Sequence, residues 1–334
     1  MSSVAQSILI ASQQYTIYVS FIILFSGVFG HIFNIFIFTH LKIFRGNPST
    51  IYLISESIVN LFQMLISFTS RIAINGFNND LTQTSIVWCK LRNAFIPIFT
   101  LISLSIVCFA AIDQYLSTNH YPYLRQMSTT KTAKNLIILA IILWCLHSLP
   151  LAILFEIRSI AGCNIYNQGM ITYVTYVYYL ILTGTLPIAI STLFGILAYQ
   201  NVRRIVRQQI AIRRRKLDQQ LTAMIIVRVG FLVVLTVPYV LQRIYSNVVY
   251  ISKEDVIHKA VLQLVGSVTI SLFYLNYSGS FYLFLISSGR FRRQVKNVFL
   301  HKFWRIYCRN RIRQNQILPL PTVSSGAFDL QSIN

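Results

Sequence analysis

Residues 86–117 read IVWCKLRNAFIPIFTLISLSIVCFAAIDQYLS, a long apolar run that ends in Asp113, Gln114 and Tyr115. A helix needs roughly 20 apolar residues to cross the ~30 Å hydrocarbon core of a bilayer, and this run exceeds that length. In lipid the backbone of a single segment can satisfy its own hydrogen bonds only as a helix. The stretch therefore predicts a membrane-spanning helix with an acid and an amide near its end.

Six further runs of the same kind lie along the chain. The seven runs cover about 16–40, 49–74, 86–117, 132–154, 171–201, 218–246 and 258–286. Hydrophobic residues make up 55% of the chain and charged residues 11%, whereas a soluble domain carries about 25% charged residues. The sequence therefore predicts an all-α membrane protein, a bundle of seven transmembrane helices, and excludes a soluble or disordered chain.

The basic residues are divided unevenly between the two sides of these runs. Of the 29 Lys and Arg, 21 follow runs one, three, five and seven, seven lie on the opposite side, and Arg228 lies inside run six. Because basic loops are retained in the cytoplasm, we expect a multi-pass plasma-membrane protein with an extracellular N-terminus and a cytoplasmic C-terminus. The net charge of +21 then reflects topology and not a nucleic-acid partner.

The segment after run seven is basic and has its own pattern. Phe291, Val295, Val298 and Phe299 fall at helical spacing, which predicts a short amphipathic interfacial helix on the membrane. The expected division is an extracellular N-terminus (1–15), the seven-helix domain (16–286), the amphipathic cytoplasmic helix (287–303) and a disordered cytoplasmic tail (304–334). The N-terminus shows no pattern of a cleaved signal peptide.

Polar side chains inside the runs are candidates for the bundle interior. The expected polar core contains Asn34, Asn60, Ser103 and Asn276, with Glu56, Ser105, Asp113 and Ser280 nearby. Such residues can be simple interhelical hydrogen bonds, worth about 0.6 kcal/mol each on average, or a polar core that rearranges. Pro150, Pro187 and Pro238 leave a similar choice between static kinks and hinges.

The cysteines fall into three groups. Cys89 and Cys163 are predicted outside, where oxidising conditions favour a disulfide. Cys108 and Cys145 lie inside runs and are interpreted as apolar fillers. Cys308 follows the basic segment and is a candidate for palmitoylation.

Over about 16–300 the chain resembles the rhodopsin-like (class A) G-protein-coupled receptors, as a divergent member with a peptide-receptor-like outer face. The positions that match in order are Asn34, Asn60 (where the family usually has an aspartate that holds sodium), Cys89 with Cys163 for the family disulfide, Asp113–Tyr115 for D-R-Y, Trp144, Pro187, Asp218 and Pro238. Their order and spacing carry the resemblance, since no single match is specific.

Three family motifs are altered. Gln114 replaces the arginine of D-R-Y, and Thr236 replaces the tryptophan before the span-six proline. The N-P-x-x-Y segment is SFYLF at 280–284, or SGSFY at 278–282 in a rival register. The first register is preferred because it places an aromatic residue seven positions before Phe291. A signalling-impaired receptor relative therefore stays among the alternatives.

The resemblance implies a two-state bundle that binds an extracellular ligand and activates a heterotrimeric G protein, without catalysis, a cofactor or a metal. The activation switch is then expected at Asp113, Gln114, Tyr115, Asp218, Pro238, Ser280 and Phe284. Gln114 can hydrogen-bond Asp113 or Asp218 but cannot form an ion pair. A neutral bond is weaker than a charged one, which predicts a looser off-state or less efficient coupling.

The basic segment RRIVRQQIAIRRRKL (203–217) is expected to face the cytoplasmic partner. Its basic residues are Arg203, Arg204, Arg207, Arg213, Arg214, Arg215 and Lys216. Each can also bind anionic membrane lipids, at about 1 kcal/mol per basic residue near the surface. Contact with the G protein and with lipid is compatible.

Candidate ligand-pocket residues lie at the opposite ends of the runs. They are Arg71, Arg92, Asn93, Ile96, Gln242, Arg243, Gln263 and Tyr274, with Tyr173 and Tyr176 near them. Ile96 stands where amine receptors have an aspartate, and run seven has no mid-depth lysine for retinal, so neither ligand is expected. The cations suit a peptide with acidic or C-terminal carboxylate groups, the aromatic residues suit amidated peptides, and a chemosensory ligand is also open. Snorkelling at the interface is the alternative interpretation.

Two other classes compete with a receptor. A transporter or channel would use buried charges along a path, for which Glu56, Asp113 and Arg228 are the candidates. An intramembrane enzyme would need paired catalytic groups, and His147 and Glu56 have no such partners in the sequence pattern. G-protein activation measured beside membrane current discriminates the receptor from the transporter.

Overall fold

The computed structural model describes residues 3–41, 44, 46–158, 162–207, 212–249 and 255–297, and for 205–218 it describes no side chain. The chain divides into two units, Met1–Phe291 and Arg292–Asn334. The first unit holds the helix bundle. In the second unit residues 292–297 are helical, and the rest lies outside the described part.

Seven helices in the described residues are long and apolar enough to cross a membrane, which confirms the predicted number. Spans one to seven are Ser3–His40, Pro48–Phe77, Ile86–Thr118, Thr130–Leu154, Gln168–Arg204, Gln219–Val248 and Val256–Ser278. The helix of span five extends to Arg207 and that of span six begins at Ile212. Proline lies inside the helices of spans three, four and six, at Pro97, Pro150 and Pro238.

Shorter elements connect or interrupt the spans. Span two is π-helical over Gln63–Phe68, and span five over Tyr173–Thr185. A short helix, Pro122–Met127, follows span three. Strands β1 (Phe155–Arg158) and β2 (Gly162–Ile165) pair antiparallel between spans four and five.

Local sequence explains where several spans begin. The Asn47 side chain accepts a hydrogen bond from the Ser49 amide, and Pro48 occupies the first turn, where its missing N–H costs nothing. Ser85 caps span three by accepting from the Trp88 amide, and Thr129 caps span four in the same way. These side chains satisfy amides that have no partner inside the helix.

Span one begins at Ser3, earlier than the boundary near residue 16 that the apolar run indicated. Residues 3–15 contain no proline or glycine, so nothing in the chain stops the helix there. Tertiary contacts also hold this first part: the Ser12 and Ser267 hydroxyls are 3.0 Å apart, and Gln13 donates to the Gly76 carbonyl at 2.8 Å. Ser12 and Gln13 are thus satisfied against spans seven and two, by contacts that hydropathy does not reveal.

Span one and span seven approach each other closely. A Cβ on Gly27 would lie 2.7 Å from the Cβ of Ser278, nearer than two carbon atoms can pack, so a small residue is required there. This contact fixes the two helices side by side near the middle of the bundle.

A helix over Ser280–Ser287 follows span seven, and residues 289–297 are helical again. The Phe291 ring is buried and packs against Phe38 and Phe284, with ring centroids 5.7 and 6.1 Å apart. The predicted amphipathic helix over 287–303 is thus described as far as residue 297. Residues 298–303 and the tail, with Cys308, lie outside the described residues.

Candidate functional site

A cavity of about 330 Å³ lies at the end of the bundle that carries the disulfide, and we call it the arginine cavity. Arg71 of span two, Arg92 of span three and Arg243 of span six all line it. A second cavity of about 330 Å³ lies beside it and shares Arg71 and Arg243. Among the described residues that line the arginine cavity, none is acidic.

The eight predicted pocket residues all line these two cavities. Six of them line the arginine cavity: Arg71, Arg92, Asn93, Ile96, Arg243 and Tyr274. Gln242 and Gln263 line the second cavity, with Lys259. The structure therefore brings together side chains from spans two, three, six and seven that the sequence placed only at a common depth.

The three arginines differ in their hydrogen bonds. Arg92 is buried, and its Nε donates to the Ser70 hydroxyl at 2.7 Å. The Nε atoms of Arg71 and Arg243 are buried and have no hydrogen-bond partner among the described residues. The Arg243 guanidinium lies 5.4 Å from the centre of the Tyr239 ring, within the range of a cation–π contact. Two of the three cations thus keep an unused donor.

The disulfide and the hairpin form one wall of the arginine cavity. Cys89 and Cys163 are joined, which confirms the predicted disulfide. Asn93 donates to the Cys89 carbonyl at 2.9 Å and approaches the Cys163 sulfur at 3.2 Å. Phe155 of β1 and Asn164 of β2 also line the cavity. The disulfide therefore fixes the hairpin against the top of span three.

Span five contributes different tyrosines from those that the sequence suggested. Tyr178 and Tyr179 line the arginine cavity, whereas Tyr173 bonds His147 at 2.7 Å and Tyr176 is exposed. This segment is π-helical, so successive residues turn through a smaller angle than in an α-helix, and depth along the run does not reveal which tyrosines face the cavity. Tyr239 of span six was missed as well.

A buried ion pair lies in the middle of the bundle, and we call it the central ion pair. Arg228 of span six is 2% exposed, and its Nε donates to the Glu56 carboxylate at 2.8 Å. Its Nη1 also donates to the Asn276 side-chain oxygen of span seven. Spans two, six and seven are therefore connected by one guanidinium.

The predicted polar core converges on this ion pair, with one exception. Asn60 donates to Glu56 at 3.4 Å and accepts from the Ser103 hydroxyl at 2.6 Å. Asn34 lies apart and donates to the Ser280 hydroxyl at 3.1 Å. Sequence reasoning noted Arg228 and Glu56 as charges within spans, but did not pair them. A buried charge requires a counter-charge, and this requirement was a signal that could have paired Glu56 with Arg228.

At the end of the bundle opposite the disulfide, Asp113 and Gln114 are both buried. The Asp113 carboxylate accepts from the Ser49 and Ser128 hydroxyls, each at 2.6 Å. The Gln114 amide donates to the Thr222 hydroxyl of span six at 2.8 Å. Gln114 therefore bridges spans three and six through a neutral hydrogen bond.

The remaining switch candidates are distributed around this end. Asp218 lies one turn before Thr222 on the same helix, and its side chain lies outside the described residues. The Tyr115 ring packs against Phe194 of span five, with ring centroids 5.5 Å apart. The rings of Phe284 and Phe281 both contact Phe291, with centroids 6.1 and 6.3 Å apart, and the choice of register stays a prediction.

The basic segment is described only at its start. Arg203 and Arg204 are exposed, and the Arg203 guanidinium lies 5.8 Å from the centre of the Tyr199 ring. The side chains of Arg207, Arg213, Arg214, Arg215 and Lys216 lie outside the described residues. The exposed pair is at the same end of the bundle as Gln114.

The family 7 transmembrane receptor (rhodopsin family) matches residues 30–278, which is most of the chain. No curated protein matches the chain. The matched range contains the disulfide, the arginine cavity, the central ion pair and Gln114, so the chain belongs to the rhodopsin family of seven-transmembrane receptors.

Proposed function

We propose that the chain is a plasma-membrane receptor in which an extracellular ligand, bound in the arginine cavity, drives activation of a heterotrimeric G protein at the opposite end. The disulfide end then faces outward and Gln114 faces the cytoplasm, as the excess of basic residues near that end indicates. The N-terminus is extracellular and the C-terminus cytoplasmic. The proposal assigns no covalent chemistry to the chain.

The observation that carries the proposal is the path of one helix through all three polar sites. Span six supplies Arg243 to the arginine cavity, Arg228 to the central ion pair and Thr222 to the bond with Gln114. A displacement of this helix changes all three at once, which is what a two-state receptor requires.

Pro238 lies between Arg243 and Arg228 on this helix. Proline removes a backbone donor and opens the preceding turn, so the helix can bend there more easily than elsewhere. We propose that a ligand holding Arg243 biases this bend, and that the bend lengthens the contacts of Arg228 and Thr222. The ligand then shifts an existing equilibrium by the difference in its affinity for the two states.

The switch is proposed to use Asp113, Gln114, Tyr115, Asp218, Pro238, Ser280 and Phe284. Asp113 is held by two serine hydroxyls, so Gln114 is left to connect span three with span six. Because this bond joins neutral groups, we expect it to restrain the resting state less than an ion pair would.

The pocket supports a peptide or chemosensory ligand and argues against an amine or retinal. Ile96, an apolar residue, lines the cavity where amine receptors use an aspartate. Lys259 is exposed at the disulfide end of span seven and lines the second cavity, far from the mid-depth position that a retinal Schiff base needs.

A paired assay tests the receptor proposal. Cells expressing the chain are treated with a peptide and odorant library, and G-protein activation is recorded beside membrane current. We expect activation without current. Current without activation would contradict the proposal and favour a transporter or channel, and binding without either response would indicate a signalling-impaired relative.

The cytoplasmic surface is tested by charge reversal at matched positions. Arg203→Glu with Arg204→Glu should reduce G-protein activation, and binding of anionic lipid, while leaving ligand binding intact. Arg158→Glu is the control, because Arg158 is exposed at the disulfide end, 3.3 Å from Glu156. Equal losses in the two variants would contradict the assignment of the G-protein side.

A further inference from the structure

We propose that the arginine cavity binds a carboxylate group of the ligand between Arg71, Arg92 and Arg243. The carboxylate belongs either to a small organic acid or to the free C-terminus of a peptide. This inference deepens the proposed function and rests on it for its biological role, but the binding itself can be measured without any signalling assay.

The first support is the convergence of three cations on one small space. The guanidinium groups come from spans two, three and six and line a cavity of about 330 Å³. A guanidinium presents a planar fork of donors that matches a carboxylate with two parallel hydrogen bonds. Three such forks around one space form a site for an anion and a repulsive environment for a cation.

The second support is the missing counter-charge. None of the described residues that line the arginine cavity is acidic, whereas Arg228, buried deeper in the same bundle, is paired with Glu56. The fold therefore can supply a carboxylate to a buried arginine. At this cavity Asp80 acts electrostatically on Arg92 without lining the cavity, and no described acid forms an ion pair with Arg71 or Arg243. Like charges without a counter-ion destabilise the empty site, and an anionic ligand would remove that cost.

The third support is the unused hydrogen-bonding capacity. The Nε atoms of Arg71 and Arg243 are buried without a partner among the described residues. Buried donors are normally paired. The Nε of Arg92 already bonds Ser70, so Arg92 is held in place. The Arg243 guanidinium hydrogen-bonds the Tyr239 side chain, but its Nε and that of Arg71 remain available. We therefore expect Arg71 and Arg243 to supply the tighter contacts with the carboxylate.

The rest of the cavity indicates an organic acid and not a bare inorganic ion. Tyr178, Tyr179, Tyr239 and Tyr274 form much of the wall, with Ile96 and other apolar residues between them. The volume is at the lower limit of small-molecule pockets, which hold about 300–1,000 Å³. An aromatic or aliphatic acid, or the last residue of a peptide, fits this combination of charge, surface and size.

Thermal unfolding of the purified full chain in lipid nanodiscs tests the site directly. The probes are 3-phenylpropionate and succinate, each compared with its neutral amide at constant ionic strength set with sodium chloride. We expect the acids to raise Tm in a saturable way and the amides to leave it unchanged, because a ligand stabilises only the state that binds it. Equal stabilisation by an acid and its amide would overturn the proposal.

Matched variants locate the effect. Arg71→Gln and Arg243→Gln should each raise the midpoint concentration of 3-phenylpropionate at least tenfold, whereas Arg243→Lys, which keeps the charge but loses the fork, should be intermediate. Arg158→Gln is the control, since Arg158 is exposed at the same end and already paired with Glu156. An unchanged midpoint in both glutamine variants would place the anion elsewhere and overturn the proposal.

The Tm without any probe separates a binding role from a structural one. If the arginines serve a ligand, Arg71→Gln should leave the Tm of the unliganded protein unchanged or raise it, because it removes a repelled charge. A lower Tm in Arg71→Gln, combined with an unchanged response to acids, would show that Arg71 supports the fold and would overturn its place in the site.

Two pools of tripeptides distinguish the source of the carboxylate. One pool has free C-termini, and the second has the same sequences with amidated C-termini. If the free pool stabilises the protein more than small acids do, the carboxylate belongs to a peptide end. If only small acids stabilise it, the ligand is a small organic acid.

The same measurements separate the carboxylate site from the proposed receptor function. If carboxylates bind but no acid activates the G protein, the carboxylate site stands and the proposed function is contradicted. If amidated and free ligands activate the G protein equally, the proposed receptor function stands and the carboxylate site is overturned.

Discussion

At mid-bundle Arg228 lies between Glu56 and Asn276, whereas at the disulfide end Arg71 and Arg243 line a cavity without a described acid. All three side chains are arginines on membrane-spanning helices. The two charges of the central ion pair compensate each other within the chain, although the Nη2 of Arg228 has no hydrogen-bond partner among the described residues. The cavity arginines Arg71 and Arg243 have no ion-pair partner among the described residues, and we propose that a ligand supplies the counter-charge. The contrast distinguishes an arginine that is paired within the fold from arginines that we propose bind a ligand.

The largest expected effect on stability comes from removing one of the two charged residues of the central ion pair. Arg228→Met removes the cation and leaves Glu56 buried without its counter-charge, which should reduce the free energy of unfolding by about 3–5 kcal/mol. Chemical unfolding of the purified protein, followed by intrinsic fluorescence, measures this change. By comparison, Arg243→Met removes a charge that has no described counter-charge and should cost much less.

The double variant is the control for this prediction. Glu56→Leu with Arg228→Met replaces both charges by apolar groups and should recover most of the lost stability, since apolar replacements of buried ion pairs are often neutral or better. A double variant as unstable as the sum of the two single variants would contradict the ion pair as the source of the effect.

Loss of the disulfide should come next in size. Cys89→Ser with Cys163→Ser opens a closed loop with a sequence separation of 74 residues, and we expect a loss of about 2–4 kcal/mol in the free energy of unfolding. Because the hairpin forms a wall of the arginine cavity, the variant should also weaken binding there and leave the central ion pair intact. Normal acid binding in the double serine variant would contradict this role of the hairpin.

The comparison of the two arginine sites also shows what sequence can and cannot reveal. Apolar run lengths predicted all seven spans, because hydrocarbon thickness fixes the number of residues that a helix needs. The depth of Arg71, Arg92 and Arg243 along their runs was enough to group them at one end. Depth alone did not show that their side chains share a cavity.

One long-range pairing, the disulfide, was predicted from the sequence, but the pairing of Glu56 with Arg228 was not. Glu56 and Arg228 are 172 positions apart, and their contact depends on the rotation of two helices that hydropathy does not specify. The hairpin was missed because each strand has four residues, too few for an alternating pattern to stand out. Tyr173 and Tyr176 were chosen by their depth along the run, and depth does not show that Tyr178 and Tyr179 of the π-helical segment face the cavity.

The third prediction adds a charge to the neutral bond between spans three and six. Gln114→Arg should lower basal G-protein activation, because hydrogen bonds to charged groups contribute about 1.5–3 kcal/mol, against about 0.5–1.5 kcal/mol for neutral ones. Thr222→Val, which removes the acceptor of the present bond, should shift basal activation in the opposite direction. Concentration–response curves with a G-protein biosensor measure both variants.

Thr39→Val is the matched control, because the Thr39 hydroxyl is exposed and donates to backbone carbonyls of its own helix, Ile35 and Phe36. If basal and ligand-driven activation of Gln114→Arg both equal those of the unmodified chain, the bond between spans three and six has no part in the switch.

The smallest expected effect is the response of Tm to sodium. This response distinguishes a Glu56 carboxylate paired with Arg228 from one that binds a sodium ion. Glu56 already has the guanidinium of Arg228 as its counter-charge, and its neighbour Asn60 is neutral. Replacing sodium by choline at constant ionic strength should therefore leave the Tm of the unmodified protein unchanged.

In Arg228→Met the Glu56 carboxylate loses its counter-charge, and the side-chain oxygens of Asn60 and Ser103 lie near it. Sodium should therefore stabilise this variant relative to choline. The variant Glu56→Leu with Arg228→Met lacks that carboxylate and should lose the response again. If the Tm of the unmodified protein depends on sodium, then Arg228 does not act as the counter-charge of Glu56 in place of a sodium ion.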